Sequence, residues 1–212
     1  MARGRFITLE GGEGAGKSTQ AKRLAAWLVT PSRVAVVTRE PGGAPGAEEI
    51  RRLLVEGAPK RWCPMTETLL HYAARRDHLA RTIAPDLGRG RWIVCDRFFD
   101  STMAYQGYGH GVGRDFIRGL ERSVVGDFRP DLTLVLDLPV EVGLARAAER
   151  RGHEGRYEQM DLAFHGRVRD GYLAIAAAEP DRCVVIDAEA DADTVQARIR
   201  ETVRARLADE FA

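Results

Sequence analysis

Asparagine is absent from this 212-residue sequence, and lysine is nearly so, with Lys17, Lys22 and Lys60 as the whole complement. Without asparagine there is no Asn-Lys-x-Asp guanine reader, so a GTPase switch is excluded. Cysteine is also scarce. Cys63, Cys95 and Cys183 lie far apart, form no CxxC and are odd in number, which argues against a disulfide framework. Cys95 and Cys183 sit in apolar runs and read as core residues. No apolar run approaches the roughly 20 residues a bilayer-spanning helix needs. The start, Met1 to Arg5, leads into a short strand-like run and does not read as a signal peptide. A reduced, cytoplasmic setting is the expectation. Charge of one sign is lacking too. The net charge of +1 gives no reason to expect a nucleic acid or a membrane surface as partner.

What is present is arginine, which supplies almost all of the positive charge and suits forked contacts to phosphate. A biased genome composition accounts for much of that excess. The length predicts one domain over residues 1–212, with no internal repeat and no low-complexity linker. Five short apolar runs predict strands: Phe6–Leu9, Val34–Thr38, Trp92–Cys95, Leu132–Leu138 and Cys183–Ile186. They barely alternate, as strands buried on both faces do. Helical patterns lie between them, over Ser18–Val29, Glu67–Leu87 (with Leu70, Ala73, Ala74 and Ala80 as its apolar positions), Val140–Arg150, Asp161–Ala178 and Asp193–Leu207. Strands alternating with helices predict an α/β fold, a parallel five-stranded sheet flanked by helices in three layers. Ligands of such sheets bind beyond the carboxyl ends of the strands. Glu10, Arg39, Asp96 and Asp137 stand at or next to four of those ends.

Gly11-Gly-Glu-Gly-Ala-Gly-Lys-Ser18 matches G-x-x-x-x-G-K-[ST] between a predicted strand and a predicted helix. Gly11, Gly12, Glu13, Gly14, Ala15, Gly16, Lys17, Ser18 and Thr19 thus form a candidate cradle for ATP phosphates. In such a loop Lys17 reaches the β- and γ-phosphates and Ser18 ligates Mg²⁺. The apolar run ending in Asp96 has the form of a Walker B segment that supplies a second metal partner. Leu132–Asp137 has the same form, but Asp137 reads better as a helix cap or turn.

A small-molecule kinase needs a cationic grip, an acceptor pocket and a lid. Arg39, Arg51, Arg75 and Arg97 form a candidate grip for a monophosphate; each alone reads more readily as a surface residue, and the case rests on their company. Ser101 and Tyr105, and Thr102 and Gln106, are four apart and predict two shared helix faces in the pocket. His71 and Arg75 have the same spacing. Arg146, Arg150, Arg151 and Arg156, with Gly152 and Gly155 as hinges, predict a basic lid over about residues 147–158. The alternative from another class is a non-catalytic nucleotide sensor. A deoxynucleoside kinase fits less well, because a bare 5′-hydroxyl acceptor does not call for Arg51 and Arg97.

Taken in order, Glu10 to Thr19, Thr38-Arg-Glu-Pro-Gly-Gly43 with Glu48 to Arg51, Leu69 to Arg75, Asp96-Arg97 with Ser101 to Gln106, and Arg156-Tyr-Glu-Gln159 resemble the bacterial thymidylate kinases. These are nucleoside monophosphate kinases of the P-loop class, and the resemblance runs through nearly all of the chain. It implies transfer of the γ-phosphoryl group of ATP to dTMP with Mg²⁺, and a homodimer packed through long helices. It also implies roles. Glu13 would hold the sugar 3′-hydroxyl, and Arg51 and Arg97 the acceptor phosphate. Arg75, Thr102 and Gln106 would read the thymine edge, with Ser101 beside them, and Tyr105 would crowd the 2′ position. Glu40 would support the acceptor-side arginines, Glu158 would approach as the lid closes, and Arg151 or Arg156 would supply the catalytic lid cation. Three positions depart from the family. His71 stands for a stacking phenylalanine and brings a group that titrates near neutral pH. Phe98 stands for a tyrosine or histidine, and Ala44 for a frequent threonine.

Overall fold

The computed structural model describes residues 3–58, 60–149 and 156–211. Its centre is a sheet of β1 (Phe6–Gly11), β2 (Ala35–Arg39), β3 (Trp92–Asp96), β4 (Leu132–Asp137) and β5 (Cys183–Asp187). The strands run parallel in the order β2-β3-β1-β4-β5. All lie within two residues of the expected bounds. All six residues of β1 are buried, so neither face of that strand meets solvent.

Alternate side chains of each strand feed two separate cores. Phe6, Ile93 and Cys95 point to one layer, and Ile7, Leu9, Trp92 and Val94 to the other. The second layer is closed by α1 (Lys17–Leu28) and α9 (Ala192–Arg206), through Leu24, Leu28, Ile199 and Val203. Among the remaining helices, α2 (Pro45–Val55) and α6 (Arg114–Val124) are additional to the expected set. Ile117 is the one fully buried residue of α6, with Leu120 and Val124 of the same helix partly buried against the core.

The expected helix over Glu67–Leu87 is not a single regular one. α3 (Pro64–His78) passes through a π-helical stretch, Leu79–Ile83, into α4 (Ala84–Gly88). Likewise α5 (Phe99–Thr102) opens into a π-helical stretch over Met103–Gly109. Such widened turns interrupt the 3.6-residue period and recur at functional sites. α8 (Leu162–Ala178) completes the first layer, with the Asp161 carboxylate accepting from the Phe164 N–H at 2.7 Å as its cap, while Val142 of α7 (Val140–Ala148) packs against the second core. Asp137 does not cap a helix. It forms an ion pair with Arg169 at 2.7 Å, and α7 begins after Pro139. Ala44 opens α2 without a side-chain cap, the consequence of lacking a hydroxyl there.

Candidate active site

The segment after β1 curls because glycine permits it. Gly14 has φ +68°, and a Cβ there would lie 1.9 Å from the Gly143 carbonyl oxygen of α7. Gly16, at φ +87°, turns the chain into α1, so backbone N–H groups of the loop and the helix N-terminus converge on one point. Lys17 is buried and donates from Nζ to the Gly12 carbonyl at 2.6 Å. Burial pushes its amine down to about 8, helped by the Arg97 cation beside it. Ser18 donates to the Asp96 carboxylate across the mouth of the loop. Two hard oxygens so placed, with phosphate oxygens and water, make the donor set Mg²⁺ takes. Among the described residues no group of three or more His, Cys, Asp or Glu side chains is arranged to hold a metal alone.

Beyond β1 and β3 lies a cavity of about 350 Å³. It runs from the phosphate loop (Glu13, Lys17, Ser18) to a far wall of His71, Arg75 and Gln106. Arg39, Arg51, Arg75 and Arg97, the expected grip, all line it. So do Glu40, Asp96, Ser101, Thr102, Tyr105 and Glu158. The glycine loop and the polar helix segments, which are separate motifs in the sequence, thus meet in one space.

Arg97 stands at its centre with a left-handed backbone, φ 71°, a conformation costly for any residue but glycine. Its guanidinium donates to the Gly11 carbonyl (3.1 Å), Ser101 Oγ (3.2 Å), Tyr172 OH (3.0 Å), Tyr105 OH (3.1 Å) and Glu13 Oε1 (3.1 Å). Tyr105 donates its own proton to Glu13 at 2.8 Å. Burial alone would raise the Glu13 carboxyl, but Arg97 and Lys17 outweigh it and hold it at about 2, so it stays ionised. Glu10, buried just before the loop, is pushed up to about 8 by burial and by the nearby Asp100 charge. It accepts from the Phe98 N–H at 2.7 Å and from Ser101 Oγ at 2.6 Å. Phe98 itself lies wholly in the aromatic core against Phe6, with ring centroids 5.0 Å apart, so this side chain has no part in the cavity's polar network.

The far wall is built on one face of α3. Arg75 is 1% exposed and is held by Glu40 (Nε, 2.7 Å), the Phe98 carbonyl (Nη2, 3.1 Å) and Thr102 (Nη2, 3.0 Å). Glu40 is in turn fixed by His78 at 3.0 Å. Arg75 Nη1 and Gln106 Oε1 remain, one donor and one acceptor, both buried and without a partner among the described residues. Unpartnered buried polar atoms are costly, and at a cavity wall they point to a ligand that satisfies them. His71 faces the same space and bonds through Nε2 to Tyr157 OH at 3.0 Å. Burial pushes it down to about 4, so it is neutral at pH 7 and contributes no titration there.

The lid is met only in part. Arg150, Arg151, Gly152 and Gly155 lie outside the described residues. Arg146 sits on α7 and donates to the Ala188 carbonyl at 2.9 Å. Arg156 is buried, pairs with Glu67 at 2.5 Å and donates to the Leu54 carbonyl at 3.0 Å. The structure therefore brings Arg156 to α3 and α2, and it is not among the residues lining the cavity. Thr19 is exposed on α1 and likewise does not line it. Glu67 and Tyr157 are components that the sequence reading does not single out. The signal for Glu67 is its place one helical turn before His71 and two before Arg75.

Comparison with known proteins agrees with this geometry. The family model for thymidylate kinase matches residues 9–199. A thymidylate kinase of Caulobacter vibrioides is 59% identical over 98% of this chain and 99% of its own length. One from Nitrobacter winogradskyi is 55% identical over 93% of this chain and 86% of its own. The crystal structure of a thymidylate kinase from Ehrlichia chaffeensis superposes with a TM-score of 0.79 at 34% identity, covering 95% of this chain and 99% of that one. A match along almost the whole length, at identities above one half and with the same fold, leads to one assignment: the chain belongs to the thymidylate kinase family.

Proposed function

We propose that the cavity holds dTMP against ATP bound in the phosphate loop and that the γ-phosphoryl group passes directly to the dTMP phosphate, giving dTDP and ADP. The observation that carries this is that two unmet groups, Arg75 Nη1 and Gln106 Oε1, belong to side chains lining the same cavity as the loop. A donor beside an acceptor suits the O4 and N3–H edge of thymine, with Thr102 beside Arg75 completing the reader. Arg51 and Arg97 line the space between base and loop and are assigned to the acceptor phosphate, with Glu40 holding Arg75 from behind. Glu13 takes the sugar 3′-hydroxyl, and Tyr105, bonded to Glu13, crowds the 2′ position. His71 stacks on the base as a neutral ring.

An acceptor phosphate oxygen is already ionised at neutral pH, so no general base is assigned. Catalysis is positioning and charge neutralisation. Lys17 directs its ammonium to the transferring group, Ser18 and Asp96 hold Mg²⁺, and Gly11 to Gly16 supply N–H groups. When bound, the metal neutralises phosphate charge. The lid over residues 147–158 supplies a further cation. Arg151 or Arg156 takes that role, and Arg156 would have to leave its pair with Glu67 to do so. Glu158, at the cavity edge, approaches the acceptor as the lid closes. A single domain does all of this. We assign the protein to the cytoplasm, which the unpaired Cys63, Cys95 and Cys183 suit. We also assign it as a homodimer packed through α2 and α3, whose Leu53, Met65 and Leu69 are exposed.

ADP release with dTMP, dUMP, dCMP, dGMP and ribo-TMP as separate acceptors tests the reading. Strong turnover with dTMP, a weak response to ribo-TMP and loss of activity with EDTA are expected. ATP binding with no acceptor-dependent release would instead support the sensor alternative. A pH profile adds a second check. The Lys17 amine, at about 8 in the free enzyme, is charged below that pH and neutral above it. Accordingly kcat/KM for ATP should fall by about tenfold per pH unit above about 8. A flat profile to pH 10 would contradict the role given to Lys17.

A further inference from the structure

Glu67 is 1% exposed in α3, and its carboxylate collects partners from two other parts of the chain. Gln106 Nε2 donates to Oε1 at 2.8 Å and Arg156 Nη2 pairs with Oε2 at 2.5 Å. The Tyr157 hydroxyl is also hydrogen-bonded to it, and His110 Nε2 stands 3.7 Å from Oε1. An ionised carboxylate only accepts, so Gln106 has to turn its NH₂ toward Glu67 and its oxygen away. That oxygen is the buried acceptor left without a partner at the cavity wall.

We propose that Glu67 is a positioning residue that sets base choice. By holding Gln106 Nε2 it locks Gln106 Oε1 as the acceptor facing the base, so the site takes a ring whose N3 carries a hydrogen and rejects one whose N3 is a bare acceptor. This rests on the reading that the cavity binds a pyrimidine nucleotide. The rejection has a physical basis: facing cytosine, Gln106 Oε1 would meet another lone pair and stay unsatisfied, and Glu67 prevents the amide from turning over to relieve it. The same carboxylate anchors Arg156 and Tyr157, so the base reader and the C-terminal end of the lid segment share one fixed point.

Glu67→Gln tests this with the intact enzyme. An amide at this position is free to present its own NH₂ to Gln106 Oε1, which lets Gln106 rotate and offer N–H to the base. The ratio of kcat/KM for dTMP over dCMP should fall by about 10–100-fold. The ratio of dTMP over dUMP should hold, because both bases carry N3–H. Because Glu67→Gln leaves Arg156 buried beside a neutral group, a paired variant, Glu67→Gln with Arg156→Met, is measured alongside, removing both charges together. Any effect of losing Arg156 is common to both acceptors and cancels in the ratio, so the same fall is expected. If the wild type turns over dTMP and the dTMP/dCMP ratio is unchanged in the folded variants, the positioning role is overturned and the function stands. If the wild type itself shows no dTMP-dependent turnover, the function fails and this inference with it.

Discussion

Lys17→Ala is expected to lower turnover by about 10²–10³-fold or more, with the thermal unfolding midpoint close to wild type. The size follows from the site. Lys17 is a buried cation whose ammonium bonds the Gly12 carbonyl within the loop. It is destabilised there by burial and by Arg97, which lowers it to about 8. Such a group regains its lost solvation when phosphate oxygens arrive, and gains most when charge shifts in the transition state. Alanine also relieves the Lys17–Arg97 repulsion, so the empty protein should not lose stability. Steady-state kinetics beside thermal unfolding checks both halves. Wild-type-like turnover in folded Lys17→Ala protein would remove the mechanism.

Arg182→Ala is expected to destabilise the fold by about 3–5 kcal/mol, lowering the unfolding midpoint by about 10 °C or more. Arg182 precedes β5 and grips Asp100 at the start of α5 with two bonds, 2.7 and 2.8 Å, both side chains largely buried. It also donates to Thr133 Oγ1 at 2.9 Å and Glu179 at 2.7 Å. Removing it leaves the Asp100 carboxylate buried and unpaired, next to Glu10, which that charge already raises. The clamp matters for the site because α5 carries Ser101 and Thr102. Replacing both partners, Asp100→Asn with Arg182→Met, should recover most of the loss, since no lone charge then remains. Calorimetry of the three proteins decides it. A midpoint within 2 °C of wild type for Arg182→Ala would show that the pair is not holding α5.

The sheet was legible because its central strands β1, β3 and β4, covered on both faces, have to be short apolar runs, and the edge strands β2 and β5 keep the same composition although Val37 and Val185 are exposed. The loop was legible because its glycines and its lysine follow β1 directly. The face of α3 was not. Leu70, Ala73, Ala74 and Ala80 suggest an apolar stripe, yet Ala73 and Ala80 are exposed and Leu69 is 47% exposed. The helix instead turns Glu67, Arg75 and His78 fully inward, with His71 between them. Hydrophobic periodicity inverts where a helix walls a polar cavity, and the partners that make such burial tolerable, Glu40 for Arg75 and Arg156 for Glu67, lie far away in sequence. The π-helical stretch at Met103–Gly109 escapes a 3.6-residue reading for a related reason, although the Ser101–Tyr105 and Thr102–Gln106 spacings still bring all four side chains to one cavity. Arg156 shows the limit of composition: a basic segment can be seen, but not which carboxylate will take each of its charges.

In the proposed reaction one cavity brings the γ-phosphoryl group of ATP to the phosphate of dTMP. The most direct test is to follow the label from [γ-³²P]ATP in the presence of dTMP. The label should appear in dTDP, in an amount matching the ADP formed and with little inorganic phosphate. Label recovered as inorganic phosphate at the same rate with and without dTMP would contradict it.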